Sequence, residues 1–295
     1  AIERLFLEAG LPSGVYRNAF ISSAQVAATI ADQRIQGVSL TGSEKAGSAV
    51  GEVAGRHLKK CVLELGGSDP FIVLGDADVD AAAKAGAVGR LGNGGQACTA
   101  SKRFLVEDRV YDEFIDKFTA AMSTWHPSDP TDNATKLGPM ASQAGVDELD
   151  ELVRDALAHG AKALLGGTPS NSAGAFYPPT ILTGVTREMR AFDEELFGPV
   201  AVVHRVHSID EAIDVANDSP FGLASSVFTS DPEQAQRVAR DLETGMVWIN
   251  STSKTAPDLP FGGVKGSGFG RELARFGFTE FANKKLVRNP GKATR

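Results

Sequence analysis

Asn93-Gly94-Gly95-Gln96-Ala97-Cys98-Thr99-Ala100 joins a small-residue, helix-like segment over residues 78–91 to a strand-like one, Arg103-Phe104-Leu105-Val106. Adjacent glycines permit a tight bend and let the backbone come close to a bound molecule. A lone cysteine is ordinarily a small buried hydrophobe. A cysteine that only fills a core, however, gains nothing from Gly94, Gly95 and Gln96 beside it. Cys98 is therefore expected to be presented on the bend rather than packed. Cys61 is the contrasting case: it lies inside the apolar run Lys60-Cys61-Val62-Leu63 and reads as structural.

Upstream, Leu63-Glu64-Leu65-Gly66-Gly67 closes an apolar run with one carboxylate, just before a second flexible turn. Most glutamates are solvated surface residues; one that ends an apolar strand beside Gly-Gly is less ordinary. A presented thiol and a carboxylate held at a strand end are the parts that thiol-mediated acyl chemistry with a general base requires. Thr41-Gly42-Ser43 follows a strand and opens a helix. Such a turn offers backbone N–H groups and the positive end of the helix dipole to an anion, and Gly47, one turn on, lets the helix approach closely. The pattern is not G-x-G-x-x-G, and taken alone it reads better as an ordinary capped helix. Glu44 suits the dipole and is expected to point away from any phosphate. Glu194-Glu195-Leu196-Phe197-Gly198-Pro199 sets carboxylates beside an aromatic ring and a rigid turn. That combination suits ribose hydroxyls and a flat ring, or else an acidic loop around a buried phenylalanine.

Strand and helix signals alternate along the chain. Strands are expected at 37–41, 62–65, 70–74, 161–165, 200–206, 225–229 and 246–250, and helices at 43–58, 110–122, 146–159, 208–217 and 232–242. This order predicts an α/β fold with largely parallel sheets covered by helices. Residues 169–175 read as a polar loop. The tail reads as a short helix within 270–281 and a final strand at 284–288. At the other end, residues 1–10 read as an amphipathic helix with no methionine and no cap, ended by Gly10 and Pro12. The expectation is a chain that begins inside a larger protein.

Composition narrows the function classes. The 295 residues suit roughly two domains. A net charge of −7 argues against nucleic acid or an anionic membrane surface as the main partner. No apolar run approaches the ~20 residues that span a bilayer. The five histidines are scattered, so no metal site is expected. Two cysteines without disulfide or metal spacing fit a reducing cytoplasm.

Together, Thr41-Gly42-Ser43, Leu63-Glu64-Leu65-Gly66-Gly67, Gly95-Gln96-Ala97-Cys98, Glu194-Glu195-Leu196-Phe197-Gly198-Pro199 and Pro260-Phe261-Gly262-Gly263 resemble the aldehyde dehydrogenase superfamily, in the family's order. The separations of Glu64 from Cys98 (34 residues) and of Cys98 from Glu195 (97 residues) resemble it too. The resemblance covers essentially the whole chain. It implies that Cys98 attacks the aldehyde, that NAD or NADP takes the hydride, and that Glu64 activates the water that hydrolyses the thioester. The Cys98 N–H would form part of the oxyanion hole. Gly42 and Ser43 would face the pyrophosphate, Glu195 would bind the nicotinamide ribose, Phe197 would pack near the ring, and Leu65 and Gly66 would line its pocket. Phe261 would line the aldehyde entrance. The tail resembles the family's closing strand, which implies a homodimer or homotetramer. Members that pass the acyl group to coenzyme A typically lack the base at Glu64, so hydrolysis to the acid is favoured.

The phrases Ser68-Asp69-Pro70-Phe71, Ala100-Ser101-Lys102-Arg103 and Leu259-Pro260-Phe261-Gly262-Gly263 look most like succinate-semialdehyde dehydrogenases. One position departs from that pattern and another keeps its chemistry. The arginine those enzymes carry six residues before the nucleophile is Gly92 here, with Arg90 two residues further back; Thr255 keeps a hydroxyl where they use serine. Ala100 occupies the place of their redox partner cysteine, so no regulatory disulfide is expected. The family is also nearly twice as long. Its N-terminal part supplies an oxyanion-hole asparagine, an adenosine-ribose lysine, and the first strands of the cofactor domain. The resemblance thus implies an incomplete cofactor domain in 1–65, a thiol domain in 66–268 and an oligomerising tail in 269–295. The alternative expectation is a catalytically incompetent fragment with a structural role.

Overall fold

The structure, a computed structural model, describes residues 1–170 and 174–289. Two short helices, α1 (Ile2–Glu8) and α2 (Ser23–Ala31), precede the unit β1 (Gly37–Thr41), α3 (Glu44–Arg56), β2 (Lys60–Glu64). The chain continues through β3 (Asp69–Val73), α4 (Val79–Leu91), β4 (Ser101–Glu107), α5 (Asp108–Ser123), α6 (Gln143–Ala158), β5 (Lys162–Leu165), β6 (Thr180–Thr183) and α7 (Arg190–Asp193). Then come β7 (Val200–Val206), α8 (Ile209–Asn217), β8 (Phe221–Gly222), β9 (Ala224–Phe228), α9 (Pro232–Asp241) and β10 (Met246–Ile249). The last elements are β11 (Val264–Lys265), β12 (Gly268–Phe269) and α10 (Ala274–Phe281).

Helix starts follow their capping residues. The side chains of Ser43, Asp78, Ser142, Ser208 and Asp231 each accept a backbone N–H of the following turn. A cap of this kind contributes about 1 kcal/mol. Ser22 and Gln25 form a capping box for α2, a helix the sequence reading passed over.

Seven strands form the main sheet in the order β10-β9-β3-β4-β7-β6-β5, parallel except for the β5–β6 pair. Strand β3 lies between β4 and β9 with all five residues buried. Its side chains alternate faces, and both faces are covered, which is why it reads as a continuous apolar run. Phe71, Val73, Phe104 and Val106 pack with Ala83 and Ala87 of α4 and with Phe114 and Phe118 of α5. Ile72 and Leu105 pack on the other side with Ala212 and Ile213 of α8 and Val238 of α9.

A second sheet has the order β1-β2-β12, with β1 parallel and β12 antiparallel to β2. It is covered more thinly, by a cluster of Ile30, Val50, Ala54, Leu63 and Leu65. β8 and β11 make a two-stranded antiparallel pair. No helix among the described residues is long and apolar enough to cross a membrane.

Residues 284–288, expected as a final strand, lie outside any strand. A strand exists by its ladder, and among the described residues no strand pairs with them; they are exposed. Of the expected loop at 169–175, residues 171–173 lie outside the described residues.

Candidate active site

The thiol loop starts where α4 ends. Asn93, Gly94 and Gly95 take three consecutive left-handed conformations (φ 53°, 65° and 73°), which reverse the chain within one turn. Two of the three are glycines, the residue to which this region costs least. A Cβ on Gly95 would collide with the Gly198 carbonyl and lie 2.6 Å from Arg90 Nη2, so the loop packs directly onto the Glu194–Pro199 segment. Gln96 pins the bend: its Oε1 accepts from the Ala141 N–H at 2.8 Å, and its Nε2 donates to the Asn93 carbonyl at 3.1 Å. Cys98 is half-buried at the end of this bend. Cys61 is half-buried too, within β2. Exposure alone therefore does not separate the two thiols; the loop conformation does.

Glu64 is the last residue of β2 and is 2% exposed. Neither carboxylate oxygen has a hydrogen-bond partner. Burial pushes its carboxyl up to about 7; the nearby Glu272 adds to the rise and Arg271 opposes it. A Cβ on Gly262 would lie 2.9 Å from Glu64 Oε1, so the Phe261-Gly262-Gly263 turn walls the carboxylate. Phe261 and Glu272 exchange backbone hydrogen bonds (2.8 and 2.7 Å), which fixes that turn. The Gly42 N–H donates to the Glu64 carbonyl at 3.0 Å, tying the start of α3 to the same strand end. Beyond Glu64, the Gly66-Gly67 turn lies on the thiol loop: a Cβ on Gly67 would meet the Cys98 carbonyl oxygen at 2.5 Å.

Beneath the loop lies a cluster of charges in which the sequence reading singled out Arg90 and Glu195 but gave no role to Lys102 or Asp69. Lys102 Nζ lies 3.2, 3.1 and 3.4 Å from the carbonyl oxygens of Ala97, Cys98 and Ala100, and 3.0 Å from Glu195 Oε1. Asp69 accepts the Ala224 N–H at 3.0 Å, and burial pushes its carboxyl up to about 7. Arg90 Nη2 donates to the Gly95 carbonyl at 2.6 Å, leaving Nε and Nη1 without partners. Burial lowers the Lys102 and Arg90 pKa values and raises that of Cys98. The signal for Lys102 was available: with Arg103 it puts two charges at the start of a strand whose next three residues are Phe104, Leu105 and Val106.

Glu195 spans both parts of the site. Besides Lys102, its Oε1 accepts the Gly67 N–H at 3.1 Å, and a Cβ on Gly66 would lie 2.5 Å from its Oε2. Only a glycine leaves that space for the carboxylate. A cavity of about 570 Å³ opens beside it, lined by Glu44, Gln96, Glu195, Phe197, Pro220 and Phe221, among others. Phe197 presents its ring there, 46% exposed. Gly47 packs on Leu65, whose Cδ1 would lie 2.5 Å from an added Cβ. Ser43 caps α3 through the Ala46 N–H.

Glu44 lines the cavity instead of pointing away from it. Gly266, without a Cβ, makes the room: its Cβ position is 3.1 Å from Glu44 Oε1. Burial raises the Glu44 pKa, and the Glu195 charge raises it further. Thr255 is exposed; its neighbour Ser253 donates to the Thr99 carbonyl at 3.0 Å. A hydroxyl-accepting carboxylate, an available ring and a glycine-lined turn fit the nicotinamide-ribose end of a dinucleotide.

The aldehyde dehydrogenase family model matches residues 1–287. The chain belongs to that family. It is 56% identical over 288 residues to an NADP(+) succinate-semialdehyde dehydrogenase of Deinococcus radiodurans, covering 98% of this chain and 60% of that protein. A Mycobacterium ulcerans protein of the same name is 47% identical over 279 residues, covering 95% of this chain and 61% of its own. Among solved structures, the Streptococcus pyogenes succinic semialdehyde dehydrogenase in complex with NADP+ superposes with a TM-score of 0.94. It is 46% identical and the match covers 98% of this chain and 64% of that one. The chain thus spans about 60% of the length of the curated aldehyde dehydrogenases it matches.

Proposed function

We propose that this chain carries the thiol and the base of an aldehyde dehydrogenase that oxidises succinate semialdehyde, or a similar semialdehyde, to the carboxylic acid. Cys98 Sγ adds to the aldehyde carbon, and the resulting oxyanion is met by the Cys98 N–H. A bound NAD or NADP would supply the acceptor for the hydride, leaving a thioester on Cys98. Glu64 then takes a proton from water, which attacks the thioester and releases the acid and the thiolate. Gly42 and Ser43 would face the pyrophosphate, with Gly47 allowing α3 to approach, while Leu65, Gly66, Glu195 and Phe197 hold the nicotinamide end. Phe261 and Thr255 would border the aldehyde. The relatives named above favour NADP.

The observation that carries this reading is Glu64: a buried carboxyl with no partner, pushed up to about 7 by burial, at the strand end that leads into the Gly66-Gly67 turn against the Cys98 backbone. A structural carboxylate would be paired; a general base must be free and poised near the working pH.

The test is reduced-nicotinamide formation with succinate semialdehyde, using NAD and NADP separately. Cys98→Ala is expected to abolish it. Glu64→Gln is expected to give one equivalent of reduced cofactor and then stall; a normal steady state in that variant would remove Glu64 as the base.

A second reading, a fragment with an oligomerising role only, is favoured by the apolar surface on the tail side of the small sheet. Phe278, Leu286 and Val287 are 85%, 91% and 79% exposed. Its signature is a soluble, folded chain that self-associates and gives no acyl-enzyme.

A further inference from the structure

We propose that Lys102 is a positioning residue that couples the Cys98 thiol to Glu195. Its ammonium gathers the thiol loop by three carbonyls while sharing its charge with the carboxylate that reaches the cofactor cavity. The proposal rests on the reading of Cys98 as the nucleophile and extends it to how the thiol is made reactive.

Four oxygens lie within 3.4 Å of Lys102 Nζ: those of Ala97, Cys98, Ala100 and Glu195. All four are acceptors. A neutral amine would turn its lone pair on one of them, whereas an ammonium has three donors and no lone pair. Geometry therefore assigns Lys102 a positive charge, although its side chain is 1% exposed. A buried cation is strongly felt by its neighbours, because little water screens it. The charged groups facing Cys98 are Asp69 and Glu195, which disfavour the thiolate, and Lys102, which favours it. Lys102 is thus the cation that offsets two carboxylates at the thiol, and it is also the partner of one of them.

Sharing has a consequence. While Glu195 Oε1 holds Lys102 at 3.0 Å, part of the lysine's field is spent on the carboxylate. If the Glu195 charge is removed, Lys102 remains on the loop carbonyls and acts on Cys98 with less opposition. Removing Lys102 takes away the cation that acts on the thiol and leaves Glu195 and Asp69 to the buried arginines, Arg90 beside both and Arg103 beside Asp69. The two changes must move thiol reactivity in opposite directions. A role confined to holding the loop would slow or speed both alike.

The experiment is the alkylation rate of Cys98 by iodoacetamide as a function of pH, in a Cys61→Ser background, without aldehyde or dinucleotide. Lys102→Met is expected to move the midpoint of the profile upward and to cut the rate at pH 7.5 about tenfold. Glu195→Gln is expected to move it downward and raise that rate severalfold. Lys102→Arg, which keeps the charge, is expected to recover most of the loss. Circular dichroism establishes which variants are folded. If Lys102→Met does not fold, the downward shift in Glu195→Gln, with a midpoint in Lys102→Arg close to that of the unaltered chain, still decides. Unchanged midpoints in folded variants, or shifts of the same sign, would overturn the coupling. Because alkylation needs no turnover, opposite shifts in a chain that oxidises no aldehyde would uphold the coupling while rejecting the proposed activity. Turnover with coincident profiles would do the reverse.

Discussion

Cys98 and Glu64 come from two sheets of very different build. Cys98 is anchored by β4, which is buried at six of its seven positions and flanked on both sides by strands. Glu64 ends β2, whose neighbour β1 has no fully buried residue. Packing around β4 includes three phenylalanine rings, Phe71, Phe114 and Phe118, with centroids within 6.2 Å of the Phe104 ring. The small sheet leans on five buried aliphatic side chains. The lesson is that the proposed nucleophile is held by the thickly packed sheet, while the proposed base ends a strand, buried at its last three residues, of the more thinly covered one. The burial of Glu64 itself, 2% exposed and without a hydrogen-bond partner, sets its chemistry, not the mass of the core behind the strand.

Each half of that contrast can be broken. The largest effect expected is on turnover: Glu64→Gln should slow the steady state by about 10²- to 10⁴-fold. In the unaltered chain, thioester hydrolysis should fall as pH drops through about 7, since the base acts only when deprotonated. A single-turnover profile flat from pH 6 to 8 would show that Glu64 does not carry the proton. Next in size is stability. Phe104→Ala should cost about 3–5 kcal/mol in urea unfolding, whereas Val38→Ala, on the thin sheet, should cost less than about 1.5 kcal/mol. Equal costs would erase the difference between the sheets. Amide exchange should follow the same order, with β1 opening well before β4.

The smallest effect is a pH dependence of stability. The folded-state pKa of Glu64 is raised from 4.5 to about 7, so the native chain keeps a proton there that the unfolded chain releases. Stability from this group is therefore full below about pH 4.5 and is lost as pH rises through about 7. Glu64→Gln, which cannot ionise, should melt higher relative to the unaltered chain at pH 8 than at pH 5. A constant difference in Tm would refute the assignment.

Much of this architecture was legible. Ser43, Ser208 and the Pro232 start announced their helices, and the apolar runs of β3, β4 and β7 announced the core sheet. The glycines at 94 and 95 announced the bend. What stayed hidden depends on partners far away in the chain. The two-residue strand β12 exists only because Gly268 and Phe269 meet β2. β6, after Pro178 and Pro179, is four residues long and is defined by its neighbours on either side. Glu44 faces the cavity because Gly266, 222 positions later, leaves it room. The tail failed in the opposite way: 284–288 has a strand's composition and no strand beside it.

The order of strands in the main sheet also sets a timetable. β3 and β4 precede α8, β9 and α9 by more than a hundred residues in the chain, yet β9 pairs with β3, and α8 and α9 cover Ile72 and Leu105. On the ribosome, these strands wait for more than a hundred further residues before either that face or the β3 edge is closed. Through that interval the nascent chain presents an apolar, unpaired strand edge, the kind of surface that chaperones hold and that aggregates capture. The sheet that anchors the thiol so firmly in the finished protein is thus the part most exposed to misadventure while the protein is being made.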